Sequence, residues 1–162
     1  MPLNHAAIVN RIEAIMSGVQ KGNSPLFKHV YPGEPLGLPV GGPYAAFWYL
    51  GRVPKFGNVR GDIEVYERYQ IACYWPRQPE PSTLEAFENE IADADQALQT
   101  AFRADSTLSN GSGPPYQSSP TIDITDSAVA YGGFPATRGA AIYRSLEFEL
   151  HVLDREGEPT SL

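Results

Sequence analysis

The 162-residue sequence predicts a single α+β domain spanning 1–162: a mostly antiparallel sheet of about four to five strands, two main α-helices packed on one face, and long Gly/Pro-rich loops. Three observations carry this expectation. The elements read in the order helix, strands, helix, strands. A stretch of period two, Ile63 to Trp75, feeds a stretch of period 3.6 ending near Arg103 across the proline bridge "PRQPEP". The chain also holds 15 Gly and 15 Pro, which implies turn-rich connections.

The first helix is expected over 4–17. Ile8, Ile12, Ile15 and Val19 fall on one face, Asn4 can cap the start, and Gly18 suits a left-handed position past the end. A short strand is expected at Leu26–Tyr31, and an extended surface loop at 33–43, too rich in Gly and Pro for a core strand. Tyr44–Gly51, "YAAFWYLG", reads as a buried strand, and "RVPKFGNVRGD" after it as a turn-rich, locally basic connection. In the next strand Ile63, Val65, Tyr69, Ile71, Cys73 and Trp75 point one way, with Glu67 out of pattern among them. Asp62, Glu64, Arg68 and Gln70 point the other way.

Ser82 and Glu85 then form a capping-box signature, and Leu84, Phe87, Ile91, Ala94, Leu98 and Phe102 make a helical stripe. A flexible polar loop follows near 105–120. "TIDITDSAVAY" reads as a strand and "GGFPATRGA" as a turn-rich connection. The last strand, "AIYRSLEFELHVLD", turns Ile142, Leu146, Phe148, Leu150 and Val152 inward and Tyr143, Ser145, Glu147, Glu149 and His151 outward. Residues 155–162 read as a frayed tail.

The formal net charge of -7 argues against gripping a phosphate backbone, which requires a surplus of Lys and Arg. One cysteine excludes an internal disulfide and a multi-cysteine zinc site. The N-terminus has no basic leader, and no apolar run approaches the ~20 residues that span a bilayer, so a soluble protein made in the cytoplasm is expected.

No catalytic set emerges. There is no Gly-x-Ser-x-Gly, Cys73 sits on the apolar side of its strand, and "GGFPATRG" lacks the Gly-Lys-Ser/Thr of a phosphate loop. Glu147, Glu149 and His151 alternate along one strand face and could hold a divalent metal, although a solvated face explains them as well. His5 and His29 have no evident metal partners. Trp48, Tyr49 and Arg52 could stack single-stranded nucleic acid, but the acidic net charge opposes this, and Tyr and Trp beside Arg are read in preference as a protein interface. No catalytic, cofactor-binding or metal residues are therefore assigned. The residues expected to mediate contacts from loops are Arg52, Lys55, Phe56, Arg60, Tyr116, Phe134 and Arg138.

The order of the N-terminal amphipathic helix, "ERYQIACYWPR", "STLEAFENEIADADQAL", "AFRADSTLSNG" and the closing "YRSLEFELHVLD" resembles the tail terminator and tail-completion proteins of long-tailed bacteriophages. The resemblance spans Asn4 to Asp154. It implies a non-enzymatic virion protein, located at the head-proximal end of the tail after assembly in the host cytoplasm. Such a protein forms a homo-oligomeric ring, usually a hexamer, that caps the tail tube, ends its polymerisation and offers a surface for head attachment. The implied partners are further copies of the chain, the tail tube protein and the head–tail connector or neck proteins. DNA passes through the lumen without specific binding, and neither cofactor nor membrane is involved. A neck component of similar fold and, further off, a metal-dependent enzyme are the alternatives.

Overall fold

The computed structural model describes residues 5–35, 42–56, 63–76, 84–105, 108, 121–133 and 142–154. The class is α+β. Helix α1 covers His5–Ser17, a small ribbon pairs β1 (Gln20–Lys21) with β2 (Ser24–Pro25), and helix α2 covers Leu84–Ala104. The main sheet holds β3 (His29–Pro32), β4 (Tyr44–Phe56), β5 (Ile63–Pro76), β6 (Thr121–Ile124), β7 (Ala128–Gly133) and β8 (Ile142–Asp154). Its order is β3-β4-β5-β8-β6, with β7 also on β8. Among the described residues the sheet has six strands, more than the four to five expected. The stretch "TIDITDSAVAY" divides into β6 and β7, and β3 is parallel to β4 while every other pair in the sheet is antiparallel.

Both helices bury their stripes in one cluster on one side of the sheet. Ile8, Ile12, Ile15 and Met16 of α1 join Ile91, Ala94, Leu98 and Phe102 of α2. They meet Phe47, the inward row Tyr69, Ile71, Cys73 and Trp75 of β5, and Leu146, Phe148, Leu150 and Val152 of β8. Each large side chain so buried stabilises the fold by about 1.5–3 kcal/mol. Arg11 of α1 also donates to Asp105 just past α2, and Lys21 of β1 ties the small ribbon to α2 by reaching Glu90 at 3.0 Å. Leu108, beyond that turn, is buried in the same core.

The element ends differ in detail from the sequence reading. Gly18 closes α1 by donating to the carbonyls of Ala14 and Ile15, at 3.0 and 3.2 Å, without a left-handed backbone. Gly22 takes that conformation instead, φ 64°, inside the β1–β2 turn. Leu26 and Phe27 are core residues ahead of β3, which starts only at His29. The proposed cap at Ser82, most of the loops at 33–43 and 105–120, and the tail at 155–162 lie outside the described residues.

The largest correction concerns β4. It does not stop at Gly51 but continues to Phe56, so Arg52, Lys55 and Phe56 belong to a strand, not to a connecting loop. The pairing with β5 slips between Tyr49 and Gly51, a bulge that leaves Leu50 unmatched. Gly51 carries it with φ 128°, a conformation L side chains rarely adopt. Pro54 is tolerated farther along because this part of β4 lies at the sheet edge. A Cβ at Gly51 would meet nothing within 4 Å, so any penalty of adding one comes from the backbone. Gly51→Ala is therefore expected to lower unfolding stability by about 1–3 kcal/mol in urea titration, whereas a neutral result would mean the bulge does not need a glycine.

Candidate functional site

The out-of-pattern Glu67 marks the most developed polar cluster. It lies in the inward register of β5, where Arg52 of β4 is its direct cross-strand partner, and its side chain is 0% exposed. A carboxylate buried so completely must be paired and hydrogen-bonded. Arg52 meets this need by directing both Nε (2.8 Å) and Nη2 (2.7 Å) at Oε1. The Tyr49 hydroxyl donates to Oε2 at 2.6 Å. His5, the first residue of α1, brings Nε2 to 4.0 Å from Oε1, shares a 2.8 Å hydrogen bond with the Tyr69 hydroxyl through Nδ1, and packs edge-on against Tyr49. The cluster thus joins α1, β4 and β5 at one end of the core.

Loss of solvent around the Tyr49 hydroxyl, and then its bond to the Glu67 carboxylate, push the phenol up to about 12 despite the opposing guanidinium of Arg52. A phenol that keeps its proton more tightly in the folded chain lends stability that is complete below the ordinary value of 10.0 and vanishes as pH rises through about 12. Ultraviolet titration should accordingly lose one late-ionising tyrosine when Tyr49 is replaced by Phe. A titration unchanged by that substitution would contradict the assignment.

A second cluster lies on the opposite, helix-free face. Arg68 of β5 donates through Nε to Glu149 Oε1 at 2.6 Å, and His151 Nε2 lies 3.3 Å from the same oxygen. Burial opposes ionisation of Glu149, but Arg68 and His151 outweigh it and hold the carboxyl below its usual range. Behind it, the Thr125 N–H donates to the Glu149 carbonyl at 3.0 Å, and the Thr125 hydroxyl accepts from the Glu149 N–H at 2.8 Å. These bonds keep the edge attached to β8 across the gap between β6 and β7.

The Arg68 guanidinium occupies the place beside Glu149 that a metal cation would need. Among the described residues no group of three His, Cys, Asp or Glu converges to hold a metal. Cys73 is wholly buried, which pushes its thiol far up and keeps the nucleophilic thiolate scarce. Trp48, Tyr49 and Arg52 do not make one stacking platform. Trp48 packs on the helix-free face with Ala46, Ala72, Tyr74 and Tyr31, while Tyr49 and Arg52 turn to Glu67 on the other face. An open depression of about 520 Å³ runs from Val19 and Gln20 along α2 between Asp93 and Ala104. Its lining brings a single carboxylate, from Asp93, and no nucleophile–base pair.

The exposed large apolar side chains among the described residues sit at the edges of the sheet. Tyr49 (47%), Leu50 (39%) and Val53 (40%) lie around the bulge of β4, and Val129 (51%) lies on β7 at the far edge. β3 covers only Tyr44–Phe47, so among the described residues β4 from Trp48 onward is paired on one side only. Of the expected contact residues, Arg52, Lys55 and Phe56 fall on this edge strand, with Arg52 engaged by Glu67. Arg60, Tyr116, Phe134 and Arg138 lie outside the described residues.

No protein-family model matches the sequence, and no curated protein matches it. No helix among the described residues is long and apolar enough to cross a membrane.

Proposed function

We propose that this chain is a structural subunit of a phage tail terminator, assembling into a ring that caps the tail tube, ends its growth and receives the head. The observation that carries the reading is how the side chains are used. Glu67, Arg68 and Glu149 are committed to ion pairs within the chain, while apolar residues stay exposed at both edges of the sheet. Binding surfaces combine exposed apolar patches with polar surroundings, whereas an acid–base enzyme keeps its carboxylates free to exchange protons. A head-to-tail ring needs two unlike patches per subunit, and the two edges supply them. The ring is hexameric in this reading, with the tube protein and the neck proteins as its axial partners. The net charge of -7 suits a wall past which DNA slides without adhering.

The test is co-assembly of the purified protein with purified tail tubes and, separately, with DNA-filled heads. Tubes capped at one end and stopped in growth are the expected result. Binding to heads alone would assign the chain to the neck instead, and binding to neither would remove the virion role.

A further inference from the structure

We propose that β3 pairs antiparallel with β6 of a second copy of this chain, joining the two ends of the sheet head to tail. The inference rests on the ring reading above and names the contact that would build it. β3 and β6 are the terminal strands of the order β3-β4-β5-β8-β6, so among the described residues each has one side without a partner strand. Unpaired N–H and C=O groups along such a side are a template for another strand. β3 runs parallel to β4, and each of the three further steps to β6 is antiparallel. β3 and β6 therefore run in opposite directions. A copy placed beside the first in the same orientation meets it antiparallel and keeps its helices on the same face of the sheet.

The occupant follows from charge. Lys28, immediately before β3, and His29 within it are exposed, and among the described residues neither is held in an ion pair. Asp123 in β6 and Asp126 just after it are exposed and equally uncommitted among the described residues. A β3–β3 contact would set Lys28 against Lys28, and a β6–β6 contact would set carboxylate against carboxylate. Only β3 against β6 brings opposite charges together. The contact is therefore heterologous and propagates from copy to copy until it closes.

The two faces of the sheet fix the register. His29 and Tyr31 lie on the helix-free face, where His29 stacks on Tyr44, while Val30 packs with the helices. In β6, Asp123 is the cross-strand partner of His151 on the helix-free face, while Ile122 and Ile124 pack with the helices. Setting His29 opposite Asp123 puts Val30 opposite Ile122, both half-buried, and extends the apolar core across the joint. The same register puts Lys28 opposite Ile124, two residues from Asp126. Pro32 ends β3 without an N–H and limits the ladder to a few bonds. Ring closure, in which every copy is held on both sides, supplies the remaining affinity.

The experiment combines His29→Cys with Asp123→Cys and treats the protein at high concentration, alone and with tail tubes, with a short bismaleimide. Buried Cys73 stays silent. The double variant should give a covalent ladder reaching the copy number of the ring, and neither single variant should cross-link. Lys28→Glu and Asp126→Lys should each weaken association on the order of tenfold at an unchanged melting temperature, and their combination should restore it. Dimers from either single cysteine variant would overturn the proposal in favour of a like-edge contact, and charge changes that fail to compensate each other would overturn it as well. Rings or capped tubes without a ladder would overturn this contact while leaving the ring reading in place. Neither rings, caps nor ladder would overturn both.

Discussion

Replacing Phe102 with alanine is expected to destabilise the fold by about 3–5 kcal/mol. For a chain of this size that corresponds to a melting temperature lower by roughly 6–20 °C. Phe102 is fully buried near the end of α2 and meets Phe148 of β8 edge to face, ring centroids 6.2 Å apart. It is the last residue of the stripe that fastens α2 to the sheet, and Asp105, which receives Arg11 of α1, follows within one turn. The truncation loses the transfer free energy of the ring, leaves a cavity between helix and sheet, and removes an aromatic pair worth about 0.5–1.5 kcal/mol in its own right. Phe102→Leu, which refills most of the volume, should recover more than half of the loss in the same calorimetric scan. A Phe102→Ala protein melting within a degree or two of the parent would show that α2 does not anchor there.

Arg52→Ala should cost about 2–3 kcal/mol by urea unfolding near neutral pH. Removing one partner of a buried pair typically costs 3–5 kcal/mol, and the figure is lower here because the Arg52 side chain is 44% exposed and screened by water. The loss arises mainly from Glu67, left in the core register with the Tyr49 hydroxyl as its nearest donor. Glu67→Leu should be milder, about 1 kcal/mol or less, because it removes the buried charge itself while Arg52 and Tyr49 can turn to solvent. The order of the two variants is the informative quantity. If Glu67→Leu proved the more damaging, the cluster would be stabilising through the carboxylate's own bonds and not merely satisfying a buried charge.

The same cluster shows what the sequence could and could not convey. Period-two runs made β5 and β8 readable to within a residue at each end, and the stripes Ile8–Ile12–Ile15 and Ile91–Ala94–Leu98–Phe102 located the helices. Glu67 was visible as the single charge in the inward row of β5, and a charge in that position implies a partner. The partner stayed hidden because the bulge at Leu50 shifts the alternation of β4. Tyr49 and Arg52, three positions apart, consequently face the same side, where a regular strand would separate them. The Pro and Gly of "RVPKFG" read as a loop because composition does not distinguish a bulged edge strand from a turn. The division of "TIDITDSAVAY" was equally silent, since it depends on Thr125 replacing a strand bond with its hydroxyl. The parallel pairing of β3 with Tyr44–Phe47 depends on tertiary placement that a four-residue strand does not encode locally.

Among the described residues Glu67, Arg68 and Glu149 are held in ion pairs within the chain, and apolar side chains are exposed at both edges of the sheet, the two features on which the proposed ring rests. The most direct measurement is native mass spectrometry of the purified protein over a range of concentrations, with electron microscopy of the heaviest species. A ring-forming subunit gives one closed species at a fixed multiple of the 17.7 kDa chain, six in the proposed hexamer, seen as rings of uniform diameter. A chain that remains at 17.7 kDa at every concentration and also in the presence of tail tubes would contradict the ring.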